Sequence, residues 1–445
     1  MKFREMEAKP NPVPKQAKLF GEIYDRWSWV EPSVWTERML TALERGVKGG
    51  RWYSLMDKVY SPDNLRAAFE RVKKNKGAAG VDRITIARFE ADLADNLERL
   101  TTKLTEGSYR PQAIRRVWIP KPGGKEKRPL GIPTVRDRVV QTALCNVLEP
   151  IFEQDFAEHS YGFRPGRGAK DALCRVESLL DEGHTYVVDA DLKSYFDTIP
   201  SAPLLKLIKT KVTDNVVLKL IEAFLNQEVW DGLEHWNPAA GAPQGAVISP
   251  LLSNIYLDPL DQLMADAGFE MVRYADDFVI LCRNFEDAQR ALQVVADWAT
   301  SAGLTLHPEK TCIVDASQRG GFDFLGYHFE RGRKWPSKKS ISKFRDAIRA
   351  KTKRTNGTSL KKITGNANRT LKGWFAYFNC SDGWTYRVLD GWVRMRLRSI
   401  LRKRIGLKGR WRGSDHQRWP NAYFTEQGLF SLVTAFATVC QSSER

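Results

Sequence analysis

The stretch Met271–Cys282 reads MVRYADDFVILC, two apolar runs, Met271–Tyr274 and Phe278–Cys282, separated by Ala275-Asp276-Asp277. Short runs rich in β-branched and aromatic residues are strands, and a short polar break between two of them makes a hairpin. This hairpin carries two carboxylates at its tip. About 85 residues upstream, Tyr186–Ala190 is another short apolar strand, and it ends in Asp191. If the strands are neighbours in one sheet, Asp191, Asp276 and Asp277 meet at one edge. Gathered carboxylates hold the divalent cations that phosphoryl transfer needs, two of them about 4 Å apart in polymerase-type sites. Taken alone, an Asp-Asp pair in a turn is more often an acidic surface turn, so the surroundings decide.

Working outward, Leu204–Phe224 reads as helices, Phe285–Ala302 as a helix and Leu304–Val314 as extended chain. Strand, helices, strand pair, helix and strand make a split β-α-β-β-α-β, palm-like order between 186 and 314. Upstream, residues 1 to about 60 read as helical, with Trp27, Trp29, Trp35 and Trp52 in loops. Ser61-Pro62-Asp63 starts a helix with Leu65, Ala68 and Phe69 on one face, and Lys73–Gly77 ends it as a cationic turn. Another helix covers Phe89–Leu100. Arg115–Ile119 alternates like a strand, Lys121–Lys125 is a turn and Pro129–Pro133 returns, a hairpin carrying cations. Arg138–Phe152 is helical. Residues 340–405 read as helical and very basic, followed by a loop-rich tail with a helix over Leu429–Val439.

The 445 residues allow two to four domains with a sizeable core, and 42% hydrophobic with 28% charged residues marks a soluble globular chain. Runs of about 18 apolar residues are absent, so no membrane helix is expected. The N-terminus lacks an apolar signal core, and Glu5 and Glu7 make it too acidic for a transit peptide, so a cytoplasmic protein is expected. Cys145, Cys174, Cys282, Cys312, Cys380 and Cys440 are never at CxxC spacing, and the six histidines lack HxxxH or HExxH order. Zinc sites and disulfide frameworks are therefore not expected. From 331 to 420 there are 26 Lys and Arg against four Asp and no Glu, while the rest of the chain sums to −5. A basic third joined to a mildly acidic body points to a polyanion partner, and its interleaved aromatics argue against a mere solubilising feature.

Tyr274-Ala275-Asp276-Asp277 resembles the YxDD box of reverse transcriptases, and Asp189–Asp197 resembles their first catalytic box. Gly241-Ala242-Pro243-Gln244-Gly245, running on to Asn254, resembles the PQG box, with Ala242 and Ala246 where Thr and Gly are usual. Arg128–Pro133 with Asp137-Arg138, and Tyr161–Pro165, match further boxes of group II intron proteins, and Phe322–Tyr327 resembles the primer grip. Leu371–Phe378, Gly391–Arg394, Trp419–Asn421 and Gly428–Leu432 resemble the maturase thumb and the small domain after it. The resemblance is to the group II intron-encoded reverse transcriptase/maturase family. It implies an α+β right-hand polymerase: fingers, a palm with a ferredoxin-like antiparallel sheet, an α-helical thumb, and a small C-terminal nucleic-acid-binding domain. The expected units are an N-terminal extension (1–60), fingers with the start of the palm (61–185), palm (186–335), thumb (336–405) and DNA-binding domain (406–445). Nothing after 420 resembles the HNH endonuclease of some relatives, and second-strand cleavage is not expected.

By the same resemblance Asp191, Asp276 and Asp277 are catalytic and hold two Mg²⁺ ions, with Mn²⁺ a possible substitute and the Leu192 carbonyl a further ligand. Phe196 is the steric gate against a 2′-hydroxyl. Lys121, Arg128, Arg138, Gln244 and Lys310 handle the dNTP. Asp189 and Asp197 are expected to be structural, on the alternation of a strand. Lys353, Arg354, Lys361, Lys362, Arg394, Arg398 and Arg402 are expected on RNA phosphates, and Trp374, Trp384, Trp392 and Trp411 to stack on bases or fill the core. The implied function is RNA-directed DNA synthesis from intron RNA, with binding of structured intron RNA that assists splicing and retromobility. Template RNA with a DNA primer, target DNA and dNTPs are the other partners, and a bacterial cytoplasm, nucleoid-associated when on DNA, the place. A splicing maturase without polymerase activity, and a host-adapted enzyme of DNA repair or phage defence, are the alternatives. Oligomeric state is not legible.

Overall fold

The computed structural model describes residues 25–47, 50–120, 127–236, 240–409 and 413–443. β1 (Ile114–Pro120) and β2 (Lys127–Ile132) form the expected antiparallel hairpin. Its turn, with Lys121, lies outside the described residues. β3 (Tyr186–Asp191) opens the palm, after which β4 (Val229–Trp230) and β5 (His235–Trp236) return to the hairpin and extend it to the order β2-β1-β4-β5. β6 (Glu270–Tyr274), β7 (Asp277–Cys282) and β8 (Cys312–Asp315) complete a palm sheet of order β6-β7-β3-β8, antiparallel throughout. With β3 as the first palm strand this is the ferredoxin-like arrangement. A three-stranded sheet of β9 (Phe322–Phe324), β10 (Tyr327–Glu330) and β11 (Arg333–Pro336) leads into the thumb.

Strand alternation divides the palm between two cores. Val188, Ala190, Phe278 and Ile280 face a large cluster that reaches from Trp27 to Leu304 and takes in the buried helix Val135–Glu153. Val187, Val272, Val279 and Leu281 face a second cluster, built by the helix Ala169–Asp181, β9, β10 and Phe378. Asp189, Asp191 and Asp277 belong to this second face, because each is two or four residues from one of its members. These carboxylates therefore sit on the side of the sheet that packs toward Phe378.

Two helices escape the sequence patterns. Ser249–Asp266 is apolar on nearly every side, with Pro250 in its first turn and Pro259 inside, so it shows no amphipathic stripe. Ala169–Asp181 follows a Gly168 cap in place of a Ser or Asp signal. The helix expected over Phe89–Leu100 is two pieces, Ile86–Ala91 and Leu93–Thr105, broken at Asp92.

The thumb helices Lys338–Lys351, Leu360–Tyr377 and Gly383–Arg404 share a third core with Trp419, Phe424 and Leu432. The expected C-terminal unit thus packs into the thumb core. Asp390 receives the Leu432 N–H at 3.1 Å and the Ser431 hydroxyl at 2.7 Å, which pins the last helix at Leu432, not at the expected Leu429. Two expected phosphate contacts are corrected here. Arg398, 2% exposed, donates to the Trp419 carbonyl and Asn421, and Arg402, 4% exposed, donates to the Lys408 carbonyl and Asp415. Their guanidinium groups satisfy backbone and carboxylate groups that the tail brings in. Lys353, Lys361 and Lys362 are exposed, Arg354 bonds the Ser399 and Gly409 carbonyls, and Arg394 is paired with Asp390.

Glu149 lies in the buried helix, and loss of solvation raises its carboxyl to about 7, with Glu153 adding to the shift and Arg71 opposing it. Between the ordinary carboxyl range and 7 the folded protein keeps a proton that the unfolded chain has released, so stability falls as pH rises through this window. The substitution Glu149→Gln removes that loss. Its advantage over the wild type in denaturant unfolding is expected to grow from pH 5 to pH 8, to at most about 3 kcal/mol. A difference that stays level across this range would count against the assignment.

Candidate active site

The register of β3 on β7 sets Asp191 directly opposite Asp277, and Asp276 stands one residue further out at the tip. Asp189 and Asp191 are two apart and so share a face. This corrects the sequence expectation that alternation separates them. The charges are felt across the face. Lost solvation, then Asp189, Asp276 and Asp191, push Asp277 up to about 7. Lost solvation, then Asp191 and Asp323, push Asp189 to about 6, and Asp276 is raised chiefly by lost solvation. Lys310 places its ammonium 2.5 Å from the Asp191 carboxylate. The Leu192–Leu306 bridge is flanked by His307 N–H to the Asp191 carbonyl at 2.7 Å and Lys193 N–H to the Thr305 carbonyl at 2.8 Å. Leu192 is therefore the non-bonded partner of that pair, and its own carbonyl turns to the other side, where β7 lies.

The acidic tip is held from below. Ala275 adopts a φ of 60°, a conformation costly without support. Arg273, fully buried, donates to the Ala275 carbonyl at 2.9 Å and to the Asn254 side chain at 3.0 Å, and forks onto Asp261 with one bond of 2.7 Å. The Arg273 backbone bonds the His159 carbonyl at 3.0 Å and receives the Tyr161 N–H at 2.8 Å. Gly162 follows, with its carbonyl bonded by Asn254 at 2.8 Å. A Cβ on Gly162 would fall 2.1 Å from the Ala275 nitrogen. The Tyr161–Pro165 box thus supports the tip itself.

From above, the Leu325 backbone lies close enough to the Asp277 carboxylate to favour its charged form. Leu325 has a φ of 47°, and its carbonyl accepts the Tyr377 hydroxyl at 2.8 Å from the thumb helix. The next carbonyl, of Gly326, accepts Ser337 N–H and the Ser340 hydroxyl, both at 2.9 Å. The sequence had no signal for this link, because it joins backbone groups.

Beside the acids, a cavity of about 370 Å³ is lined by Phe196, Asp197, Pro243 and Gln244 from the palm and by Arg116, Trp118 and Gly131 from the fingers. The Gly131 N–H reaches the Gln244 carbonyl at 2.6 Å, and a Cβ on Gly245 would fall 2.4 Å from the Gly131 carbonyl. The glycines let the two segments touch. Arg116 was missed from sequence, although Ile114, Arg116 and Trp118 share one face of β1 and all line this cavity. Arg128 is exposed on β2. Arg138 donates to the Ala78 carbonyl at 2.7 Å and lines a separate cavity with Glu149 and Phe163.

The residues that build this sheet, acidic tip and cavity match known families in sequence. Residues 119–329 match the reverse transcriptase (RNA-dependent DNA polymerase) family, and 341–419 match the group II intron maturase-specific domain. YkfC of Escherichia coli is 32% identical over 348 residues, 69% of this chain and 86% of that protein. The chain belongs to the group II intron reverse transcriptase/maturase family. It is thereby placed among RNA-directed DNA polymerases with a right-hand fold. LtrA of Lactococcus lactis is 36% identical over 205 residues, 46% of this chain and 34% of that longer protein. Among solved structures, a partial Cas6-RT-Cas1–Cas2 complex is similar over 56% of this chain and 41% of that one, at 25% identity and a TM-score of 0.37. No described helix is long and apolar enough to cross a membrane.

Family members generally use divalent metals such as Mg²⁺. The donor set fits in kind: hard carboxylate oxygens on one face, with Asp277 and Asp189 raised by lost solvation and by neighbouring carboxylates, a strain that a cation would relieve. Among the described residues no three such side chains close on one point, and the Lys310 ammonium supplies the positive charge at Asp191.

Gly162→Ala tests the support of the tip. The variant is expected to fold, to bind template–primer normally and to incorporate dNTPs about a hundredfold more slowly, the usual cost of displacing a catalytic group by about 1 Å. Wild-type incorporation rates would remove the support role.

Proposed function

We propose that the chain copies intron RNA into DNA by two-cation phosphoryl transfer and binds structured intron RNA to assist splicing and retromobility. The observation that carries this reading is the register that sets Asp191 opposite Asp277 beside the cavity of Phe196 and Gln244. In this reading Asp191, Asp276, Asp277 and the Leu192 carbonyl hold two Mg²⁺ ions, with Mn²⁺ able to replace them. The bound ions lower the charge barrier between the primer 3′-hydroxyl and the triphosphate. Lys310 leaves Asp191 for the pyrophosphate as it departs. The Phe196 ring closes the place of a 2′-hydroxyl and selects dNTPs. Gln244 contacts the incoming pair, while Arg116 and Arg128, with Lys121, bring cations from the fingers to the phosphates. Arg138, tied to the Ala78 carbonyl, acts here through the fingers loop it anchors. Lys353, Lys361 and Lys362, with Arg354 and Arg394 at their margin, grip intron RNA.

Fingers (61–185), palm (186–335) and thumb (336–405) are the working units, with 406–445 contributing to target-DNA contact from the thumb's flank. Primer extension on an RNA template with a DNA primer and dNTPs is the test. Mg²⁺-dependent incorporation is expected in the wild type and none in Asp276→Ala. A well-folded wild type that extends nothing but binds intron RNA tightly would overturn the polymerase reading and leave a splicing maturase.

A further inference from the structure

A large cavity lies away from the polymerase site. It is about 940 Å³, at the junction of β11 with the thumb, and Arg333, Lys338, Arg345, Arg349, Asp382 and Trp384 give it its chemistry. Ligand cavities run to about 300–1,000 Å³, so a nucleotide and its neighbours fit. Trp384, in the first turn of the helix Gly383–Arg404, is 70% exposed. The other thumb tryptophans are spent: Trp374 packs on Phe344 and Phe378, and Trp392 lies under Arg345 and Arg349. An indole left bare in a cationic cavity is a stacking surface without its partner.

Most of these cations lack a carboxylate partner. Arg349 pairs with Asp346 at 2.6 Å, but no acidic partner is described for Arg333, Lys338 or Arg345. The Arg345 Nε is buried and has no hydrogen-bond partner, a costly state that an anion in the cavity would end. Lys338 and Arg349 are eleven residues apart on one helix, about 16 Å of rise. One phosphate cannot serve both ends of that row, whereas several phosphates of a polymer can. The cavity's single carboxylate, Asp382, would repel phosphate, but it is a suitable acceptor for a ribose hydroxyl.

We propose that this thumb cavity binds a single-stranded segment of RNA, with one unstacked base on Trp384 and flanking phosphates on Arg333, Lys338 and Arg345. The site deepens the RNA-binding part of the function proposed above. A base can reach the indole only from a loop, bulge or end, since duplex bases are stacked inside. Asp382, acting on the 2′-hydroxyl, separates RNA from DNA. None of these residues touches the acidic tip or the Phe196 cavity, so polymerisation should proceed without them.

The experiment measures fluorescence anisotropy of full-length protein with three labelled probes: an eight-nucleotide oligo(A) RNA, its DNA equivalent and a blunt RNA duplex of eight base pairs. Trp384→Ala is expected to weaken the RNA single strand at least about tenfold, the loss of one stacked base. Arg345→Ala is expected to weaken it by a comparable factor and to flatten its salt dependence. Duplex affinity and primer extension on preformed template–primer should be unchanged, and the wild type should prefer the RNA strand over the DNA strand. Equal weakening of duplex and single strand, no weakening by either variant, or equal affinity of wild type for RNA and DNA strands would each overturn the proposal. Primer extension by the same preparation reports on the polymerase reading separately, so the two can fail independently.

Discussion

The palm depends on one desolvated charge. Arg273 sits in β6 with no exposure, forked onto Asp261 and spending its remaining donors on Asn254 and the Ala275 carbonyl. Burying an ion pair repays little in stability, because both ions lose their water, while removing one partner alone costs about 3–5 kcal/mol. What such a pair gives here is direction. A guanidinium has five donors in a fixed plane, so its partners are held at fixed angles to one another. The helix Ser249–Asp266, the Tyr161–Pro165 segment and the acidic tip are thereby referred to a single rigid group. The left-handed Ala275 persists because its carbonyl has only this place to go.

A second constraint is electrostatic. Three carboxylates share one sheet face with Asp276 beside them at the tip, and their neighbours' charges, added to lost solvation, raise Asp277, Asp189 and Asp276. The fold answers with Lys310 on Asp191 and the Leu325 backbone on Asp277. The thumb shows the opposite excess, with rows of cations short of acids. The chain is thus polarised between a palm that attracts cations and a thumb that attracts polyanions, which is the charge distribution a template-directed polymerase of a structured RNA needs.

Much of this was legible in the sequence. The hairpin Met271–Cys282, the strand ending at Asp191 and the β1–β2 hairpin all follow period-two patterns, and the structure pairs them as expected. Three kinds of information were not legible. Arg273 lies in an apolar strand where a charge reads as a surface position, since its partner Asp261 sits on a helix that itself has no amphipathic stripe. Arg398 and Arg402 read as RNA contacts because a basic run looks solvated, yet the C-terminal tail covers them. Backbone contacts such as Gly131 to Gln244 leave only glycines as their trace. The site acids could be found from type and spacing, but the residues that orient them act through carbonyls and N–H groups, which every sequence has.

Leu325 has a consequence for the reaction cycle. Its backbone favours the charged form of Asp277 and its carbonyl accepts the thumb hydroxyl of Tyr377, so one left-handed residue is felt by both parts. After each nucleotide is added, the product duplex must advance by one step, and the thumb that grips it must yield. A displacement of Tyr377 would therefore meet the acidic tip through the backbone of a single turn, without any intervening side chain. The thumb and the acidic tip thus share one turn of backbone.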